Sequence, residues 1–354
     1  MGDLVSDVVE RLRPGQPAVV EPLTGGITNA NFKVNLGAEQ VVVRVPGNNT
    51  EVLGIDRASE VAANRAAAAV GIAPEVVAVD EETGCIVTRF LEGRPIPMAE
   101  LATEPTLGAV IAALVRVHGA GSVETEFNHF EVIRTYHDEA QRRGVPEPFD
   151  YDQVSAVLAR IEAVRPFRPS VLGHNDLLNA NMLHDGSIRI LDWEYAGMAD
   201  PFFDLANFSV NNELGSEHDD SVIRHYFGTV DESKLATLAL MKLVSEVREA
   251  MWAVVQIAIS ELEVDFVAYA NERYERFEVL LAAMELGRLL VQAATGPPKA
   301  GLASNGSKKP VGPQARRREP VGSNSGSRTT SPPTNRPKMP TSTRLPSSIS
   351  EAGR

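Results

Sequence analysis

Gly173-His174-Asn175-Asp176-Leu177-Leu178-Asn179-Ala180-Asn181-Met182-Leu183, followed by Ile190-Leu191-Asp192-Trp193-Glu194-Tyr195, is the stretch on which the fold turns. Asp176 is followed five residues on by Asn181, and Asp192 closes an apolar run eleven residues further. Transfer of a phosphoryl group to a hydroxyl needs such a set. One carboxylate meets the hydroxyl, while an amide and a second carboxylate, both hard oxygen donors, hold Mg²⁺ on the phosphates. An isolated His-x-Asp pair usually marks a turn whose carboxylate caps nearby backbone N–H groups. Here the context is fuller: Val171-Leu172 leads into the loop, Met182-Leu183 leaves it, and Asp185-Gly186 is a hairpin-turn signal. Residues 187–191 then read as a strand delivering Asp192. Asp176 is therefore the candidate catalytic carboxylate, and Asn181 and Asp192 are the candidate Mg²⁺ ligands.

Upstream, Leu4, Val5, Val8, Val9 and Leu12 have helical spacing within residues 1–15. Residues 18–22, 32–36 and 40–45 read as strands, and the Ala-rich segment 56–70, which contains Glu60, reads as a helix. Two more strands are expected over 73–79 and 84–90, the second carrying the single cysteine, Cys85, as a small core residue. Glu92-Gly93-Arg94-Pro95 breaks the pattern and places a hinge near 89–97. Beyond it, residues 106–118, 151–164, 233–259 and 264–294 are helical by length and periodicity. The expected fold class is α+β and bilobal: a small β-rich lobe over 1–92, a larger and mainly helical lobe over 93–295, and a tail over 296–354.

Between the first strands, Gly25-Gly26 would let backbone N–H groups approach phosphates closely. The loop lacks a Gly-x-Gly-x-x-Gly pattern, and a plain hairpin turn fits it equally well. Arg44 ends a β-branched strand, and Glu60, sixteen residues later, is placed to pair with it. Alone, such a pair would be a surface contact of little energetic weight. With Asp176, Asn181 and Asp192 downstream, it reads as a clamp on phosphates. Backbone groups of the hinge segment Arg89-Phe90-Leu91-Glu92 are expected to face an adenine ring.

Composition narrows the function class. Hydrophobic residues make up 43% of 354, enough for a large core. No apolar run approaches the roughly 20 residues of a membrane span. The acidic start, Met1-Gly2-Asp3-Leu4, lacks the basic region of a secretory signal, and one cysteine allows no disulfide framework. Both point to the cytoplasm. Residues 296–354 hold 11 Lys+Arg against 2 Asp+Glu, whereas the other 295 hold 23 against 45. The tail is rich in Pro, Ser, Gly and Arg and is expected to be disordered. The acidic body argues against nucleic-acid binding and favours a cationic substrate.

On these residues the chain resembles the choline/ethanolamine kinase group of the aminoglycoside-phosphotransferase-like, protein-kinase-like superfamily, over about residues 19–290. The matching stretches are Gly25-Gly26-Ile27-Thr28-Asn29, Val42-Val43-Arg44-Val45-Pro46-Gly47, His174-Asn175-Asp176-Leu177 with Asn181, and Ile190-Leu191-Asp192-Trp193-Glu194-Tyr195. Asp200 to Asn207, Trp252-x-x-x-Gln256 and Tyr269 also fit. The resemblance implies an enzyme that uses ATP and Mg²⁺ to phosphorylate an alcohol, with Asp176 as acid/base and His174 packing the loop. It places Gly25, Gly26, Thr28, Asn29, Arg44, Glu60, Phe90 and Leu91 around the nucleotide, arginine at position 44 being usual in choline-kinase-like sequences. Around the acceptor it places Asp176, Glu194, Tyr195, Asn211, Glu249, Trp252 and Tyr269.

The family holds a quaternary ammonium by cation–π attraction in an aromatic box, onto which Tyr195, Trp252 and Tyr269 fall. The plainer alternative is that Trp252 and Tyr269 are helix core. Glu249 lies where the animal enzymes carry a second tryptophan, and Asn211 near where they carry a glutamate. A one-sided box holds trimethylammonium less well, and Glu249 could instead pair with a primary amine. The implied partner is a small amino alcohol: choline, ethanolamine, thiamine or a relative. An aminoglycoside or sugar kinase of the same fold is the first alternative. A catalytically silent scaffold is the second, against which the intact Asp176, Asn181 and Asp192 argue. Oligomeric state is left open.

Overall fold

A computed structural model describes residues 2–23, 28–47 and 50–295. The expectations placed on Gly25, Gly26 and the tail 296–354 lie outside the described residues.

The chain opens with α1 (Gly2–Leu12) and continues through β1 (Val19–Leu23), β2 (Asn29–Leu36), β3 (Glu39–Pro46), α2 (Arg57–Ala69), β4 (Val76–Asp80) and β5 (Cys85–Arg89). The five strands form one antiparallel sheet in the order β1-β2-β3-β5-β4. Alternate residues point to one face of a strand, so Val34, Val41, Val43, Val45, Cys85 and Val87 pack together under Val5, Val8 and Val9 of α1. Cys85 is buried there, as read from the sequence. The Arg11 guanidinium fixes α1 to the sheet by donating twice to Asp80, at 3.0 and 2.7 Å. Asp56 caps α2, accepting from the Ser59 N–H at 2.7 Å, and so sets the helix that carries Glu60 against β3.

The rest is mainly helical: β6 (Arg94–Pro95), α3 (Met98–Leu101), α4 (Glu104–His118), α5 (His129–Arg143), α6 (Tyr151–Val164), β7 (Val171–Gly173), β8 (Met182–His184), β9 (Ile188–Ile190), β10 (Gly197–Ala199), α7 (Pro201–Asn211), α8 (Asp219–Phe227), α9 (Glu232–Ile259), α10 (Phe266–Ala282) and α11 (Leu286–Ala294). Helix α9 is the axis, packed by α5, α7, α10 and α11. Its residues are buried on all sides from Leu238 to Gln256 apart from Ala239, as a helix in the middle of a bundle must be. Short antiparallel pairs, β7 with β10 and β8 with both β6 and β9, frame the 174–181 loop.

The segment expected as one helix over 264–294 is two. The chain turns at 283–285 and sends Leu290 and Ala293 of α11 back against the core. Gly287, the second residue of α11, is the local mark of the break. Helix α7 was missed because all eleven of its residues are buried, which erases amphipathic periodicity. Helix α5 did carry end signals: Asn128 caps its start and Gly144, at φ 68°, its end. Among the described residues no helix is long and apolar enough to cross a membrane.

Candidate active site

Strand β7 ends at Gly173, where a side chain is excluded: a Cβ would lie 2.7 Å from that of Ala199 on β10. The loop that follows is held from below by α7. Buried Asp204 accepts from the backbone N–H groups of His174 (2.8 Å) and Asn175 (2.6 Å), and also contacts His118 Nε2 (2.9 Å). The Asn207 side-chain oxygen accepts from the Leu177 N–H at 2.6 Å, and the Asn212 amide donates to the Leu177 carbonyl at 2.8 Å. His174 spends both ring nitrogens on structure, Nε2 donating to the Leu191 carbonyl (2.8 Å) and Nδ1 accepting from the Asp176 N–H (3.2 Å). Its ring meets Trp193 edge-on, and burial lowers its pKa, so it stays neutral.

The loop brings Asp176 and Asn181 together. The Asn181 amide donates to the Asp176 carbonyl (3.0 Å) and carboxylate (3.3 Å), which leaves the Asn181 side-chain oxygen as a free acceptor. Asp192 follows β9 at φ 64°, a left-handed conformation unusual outside glycine, and Asn175 shares it at φ 66°. Strained backbone of this kind collects at functional sites. Burial raises the Asp176 pKa, Arg248 opposes that rise, and the neighbouring carboxylates of Glu249, Asp192 and Glu194 add to it.

On one side lies Arg44. It donates to Glu60 (2.5 Å), Asp192 (2.6 Å) and Glu194 (2.9 Å). Arg57 holds the other Glu60 oxygen at 2.7 Å. Glu194 in turn accepts from Thr28 Oγ1 (2.5 Å) and the Asn29 amide (2.7 Å). Thr28, Asn29, Arg44, Glu60 and Asp192 therefore converge as the sequence reading expects. Glu194 departs from it. Expected beside the acceptor, it lies with Arg44, because Asp192 and Glu194 turn toward β3 while Trp193 and Tyr195 turn away. Burial, with Asp192 alongside, raises the Glu194 pKa, and Arg44 counters that rise. Near the hinge, the Phe90 N–H donates to the Gln40 carbonyl at 3.0 Å, and the Lys33 ammonium lies 4.0 Å from the Phe90 ring centre. The Phe90 amide is thus committed to the sheet, and Leu91 beside it is half-buried.

On the other side lies Arg248, which sequence reasoning passed over. Fully buried on α9, it donates to Glu249 at 2.7 Å and stands 3.6 Å from the Asp176 carboxylate. Its guanidinium lies 4.5 Å from the Tyr195 ring centre and 5.7 Å from that of Phe127. Glu249 also accepts from the Asn207 amide and the Tyr269 hydroxyl, both at 3.2 Å. Burial works against the Glu249 charge, yet Arg248 and Arg273 hold its pKa below the usual carboxylate value. Trp252 is buried and donates through Nε1 to the Tyr195 hydroxyl at 2.9 Å. Arg273 stacks 4.8 Å from the Tyr269 ring centre. Asn211 is buried nearby on α7, and neither its amide nitrogen nor its oxygen has a partner. Tyr195, Trp252, Tyr269 and Glu249 are thus linked in that order by a chain of contacts. A signal for Arg248 was present: Glu246, Arg248 and Glu249 interrupt an apolar helix, and such charges are seldom buried without pairing.

Residues 19–238 match the APH family, described as the phosphotransferase enzyme family. The chain belongs to this family. Among its relatives, protein LicA of Haemophilus influenzae is 30% identical over 210 residues, 57% of this chain and 61% of that protein. The chain thus aligns with less than two thirds of that relative. A probable ethanolamine kinase of Arabidopsis thaliana is 27% identical over 300 residues, covering 73% of this chain and 78% of its own length. The solved structure of a choline/ethanolamine kinase family protein from Mesorhizobium loti superposes with a TM-score of 0.71 at 29% identity, over 84% of this chain and 100% of that one. The antiparallel sheet followed by a helical lobe is accordingly the kinase-like arrangement of this phosphotransferase family.

Proposed function

We propose that this phosphotransferase moves the γ-phosphoryl group of ATP to the hydroxyl of a small amino alcohol of the choline/ethanolamine type. The observation that carries the reading is the position of Asp176. Its carboxylate accepts from Asn181 (3.3 Å), whose carbonyl takes the Leu191 N–H next to Asp192, and approaches Arg248 (3.6 Å), which bonds Glu249. A hydroxyl placed there meets its base on one side and the phosphates on the other. Asp176 takes or orients the hydroxyl proton as the new P–O bond forms and the bond to ADP breaks.

The donor set suits Mg²⁺. Asn181 spends its amide N–H on Asp176 and keeps an oxygen free, and Asp192, with a quarter of its side chain exposed, gives one oxygen to Arg44 and keeps the other. Two hard oxygen donors completed by phosphates and water match that ion's habits. Held by Asn181 and Asp192, Mg²⁺ would neutralise charge on the phosphates. Arg44, held by Glu60, adds a fixed positive charge on the same side. The names of the two kinase relatives support the amino-alcohol class. Glu249, buried beyond Arg248 with its pKa held down, offers a partner for the acceptor's cation.

The test is a screen with Mg²⁺-ATP against amino alcohols, sugars and aminoglycosides, following ADP release. Turnover with amino alcohols is expected. Turnover confined to sugars or aminoglycosides would move the assignment to that branch of the fold, and none with any acceptor would sink it.

A further inference from the structure

We infer that Arg248 sets the class of amine this enzyme accepts, by covering the ring faces a quaternary ammonium would need and so favouring a primary ammonium over a trimethylammonium. The inference rests on the amino-alcohol reading and narrows it.

A trimethylammonium group has no N–H, so a site holds it by presenting aromatic faces. Here a face of each of two such rings is already taken. The Arg248 guanidinium lies on Tyr195 and the Arg273 guanidinium on Tyr269, at 4.5 and 4.8 Å from the ring centres. Trp252 is buried edge-on against Tyr269 and Phe266, and its Nε1 is tied to the Tyr195 hydroxyl. The enzyme's own cations thus hold the positions an acceptor's methylated cation would seek. Two like charges on one ring would also repel in a site from which water is largely excluded.

What the pocket offers instead is hydrogen bonding. A carboxylate has about four acceptor positions. Glu249 uses three of them, on Arg248, Asn207 and Tyr269, and the Asn211 side chain stands beside the remaining one. The Asn211 side-chain oxygen is buried without a partner, a state that proteins rarely tolerate unless a ligand or water fills it. A primary ammonium can donate to both. A trimethylammonium can satisfy neither.

The experiment is a methyl series on the wild-type enzyme: ethanolamine, its N-methyl and N,N-dimethyl derivatives, and choline, at saturating Mg²⁺-ATP. The expected result is that kcat/KM falls with each methyl, by about 10-fold or more from first to last. In Arg248→Met the ratio of kcat/KM for choline to that for ethanolamine should rise by about 5- to 30-fold, the worth of one freed ring face, with Arg248→Lys between and KM for ATP unchanged in both. Should the Arg248 variants fail to fold, the methyl series still decides, together with Tyr195→Leu. That change should lower kcat/KM for both acceptors equally, because the ring serves Arg248. A wild-type preference for choline, a ratio unmoved in folded Arg248 variants, or a Tyr195→Leu loss confined to choline would each overturn the inference. Absence of transfer to all four acceptors is a different result, and removes the amino-alcohol reading with it.

Discussion

Two arginines, Arg44 half-buried and Arg248 buried, flank Asp176 and Asp192, and their surroundings differ. Arg44 meets three carboxylates within 3 Å and leaves only Nε unpartnered. Arg248 meets one carboxylate at bonding distance and leaves both Nε and Nη2 unpartnered. On the Arg44 side the protein's own pairs tie its parts together: Glu194 joins Thr28 and Asn29 to the segment after β9. The Arg248 side keeps spare donors and acceptors, Asn211 among them. One cluster is a joint between the sheet and the helical lobe that still leaves an Asp192 oxygen free for the proposed Mg²⁺, and the other leaves polar atoms unpartnered for a guest, the proposed acceptor. Substitutions should therefore damage the first mainly through stability and Mg²⁺ use, and the second mainly through acceptor selection.

The largest effect expected from breaking the joint is on rate. Asp192→Asn keeps the shape but weakens the proposed metal site. Turnover should drop by about two orders of magnitude or more, with a raised Mg²⁺ requirement, since bound metal contributes several kcal/mol to such transition states. A Mg²⁺ titration checks it, and an unchanged midpoint would remove Asp192 from that role.

Arg44→Met tests the joint itself. It leaves buried Glu60 and Glu194 with Arg57 as their remaining cation, at 2.7 and 3.7 Å, and removing one partner of a buried ion pair typically costs up to about 3–5 kcal/mol. Chemical denaturation should show that loss, and Glu60→Gln, which leaves Arg44 two carboxylates, should lose less. Equal losses would mean the network does not centre on Arg44. On the guest side, Glu249→Gln should raise KM for ethanolamine by about 10-fold, and for choline by less, because only the primary amine donates a charge-assisted hydrogen bond to the carboxylate. Steady-state kinetics with both acceptors decides it.

The smallest effect lies away from both arginines. Arg11 holds the Asp80 carboxyl down to about 2, from 3.8. A depressed carboxylate pKa stabilises the fold above its unfolded value, and that contribution is lost as pH falls from about 4 towards 2. Arg11→Met should therefore melt below wild type at pH 7, and the two curves should converge in that acid window. A constant difference down to pH 2 would assign the effect to packing.

How much of this was legible in the sequence follows the same division. Asp176, Asn181, Asp192, Arg44 and Glu60 were readable because loop-strand spacing and a strand-to-helix offset bring them together almost whatever the rest of the chain does. The sheet was readable from its alternating valines. Helix α7, buried on every side, was not, although Asp200 caps its start ahead of Pro201; nor was the break between α10 and α11, where α11 packs back on α9. Glu194 was assigned to the wrong side because which way a side chain turns after β9 is decided by β3, more than a hundred residues away. Arg248 escaped for a related reason: only the meeting of α9 with the 174–181 loop places it beside Asp176.

The central claim is that Asp176 accepts the proton as phosphate passes from ATP to an amino alcohol. Phosphorus NMR of the purified chain with Mg²⁺-ATP and ethanolamine, run beside Asp176→Asn, tests it most directly. The account predicts a phosphomonoester of the acceptor in the wild type, and formation slowed by about 10²–10⁴-fold in a variant that remains folded by circular dichroism. A folded Asp176→Asn enzyme that makes the same phosphomonoester at the wild-type rate would contradict it.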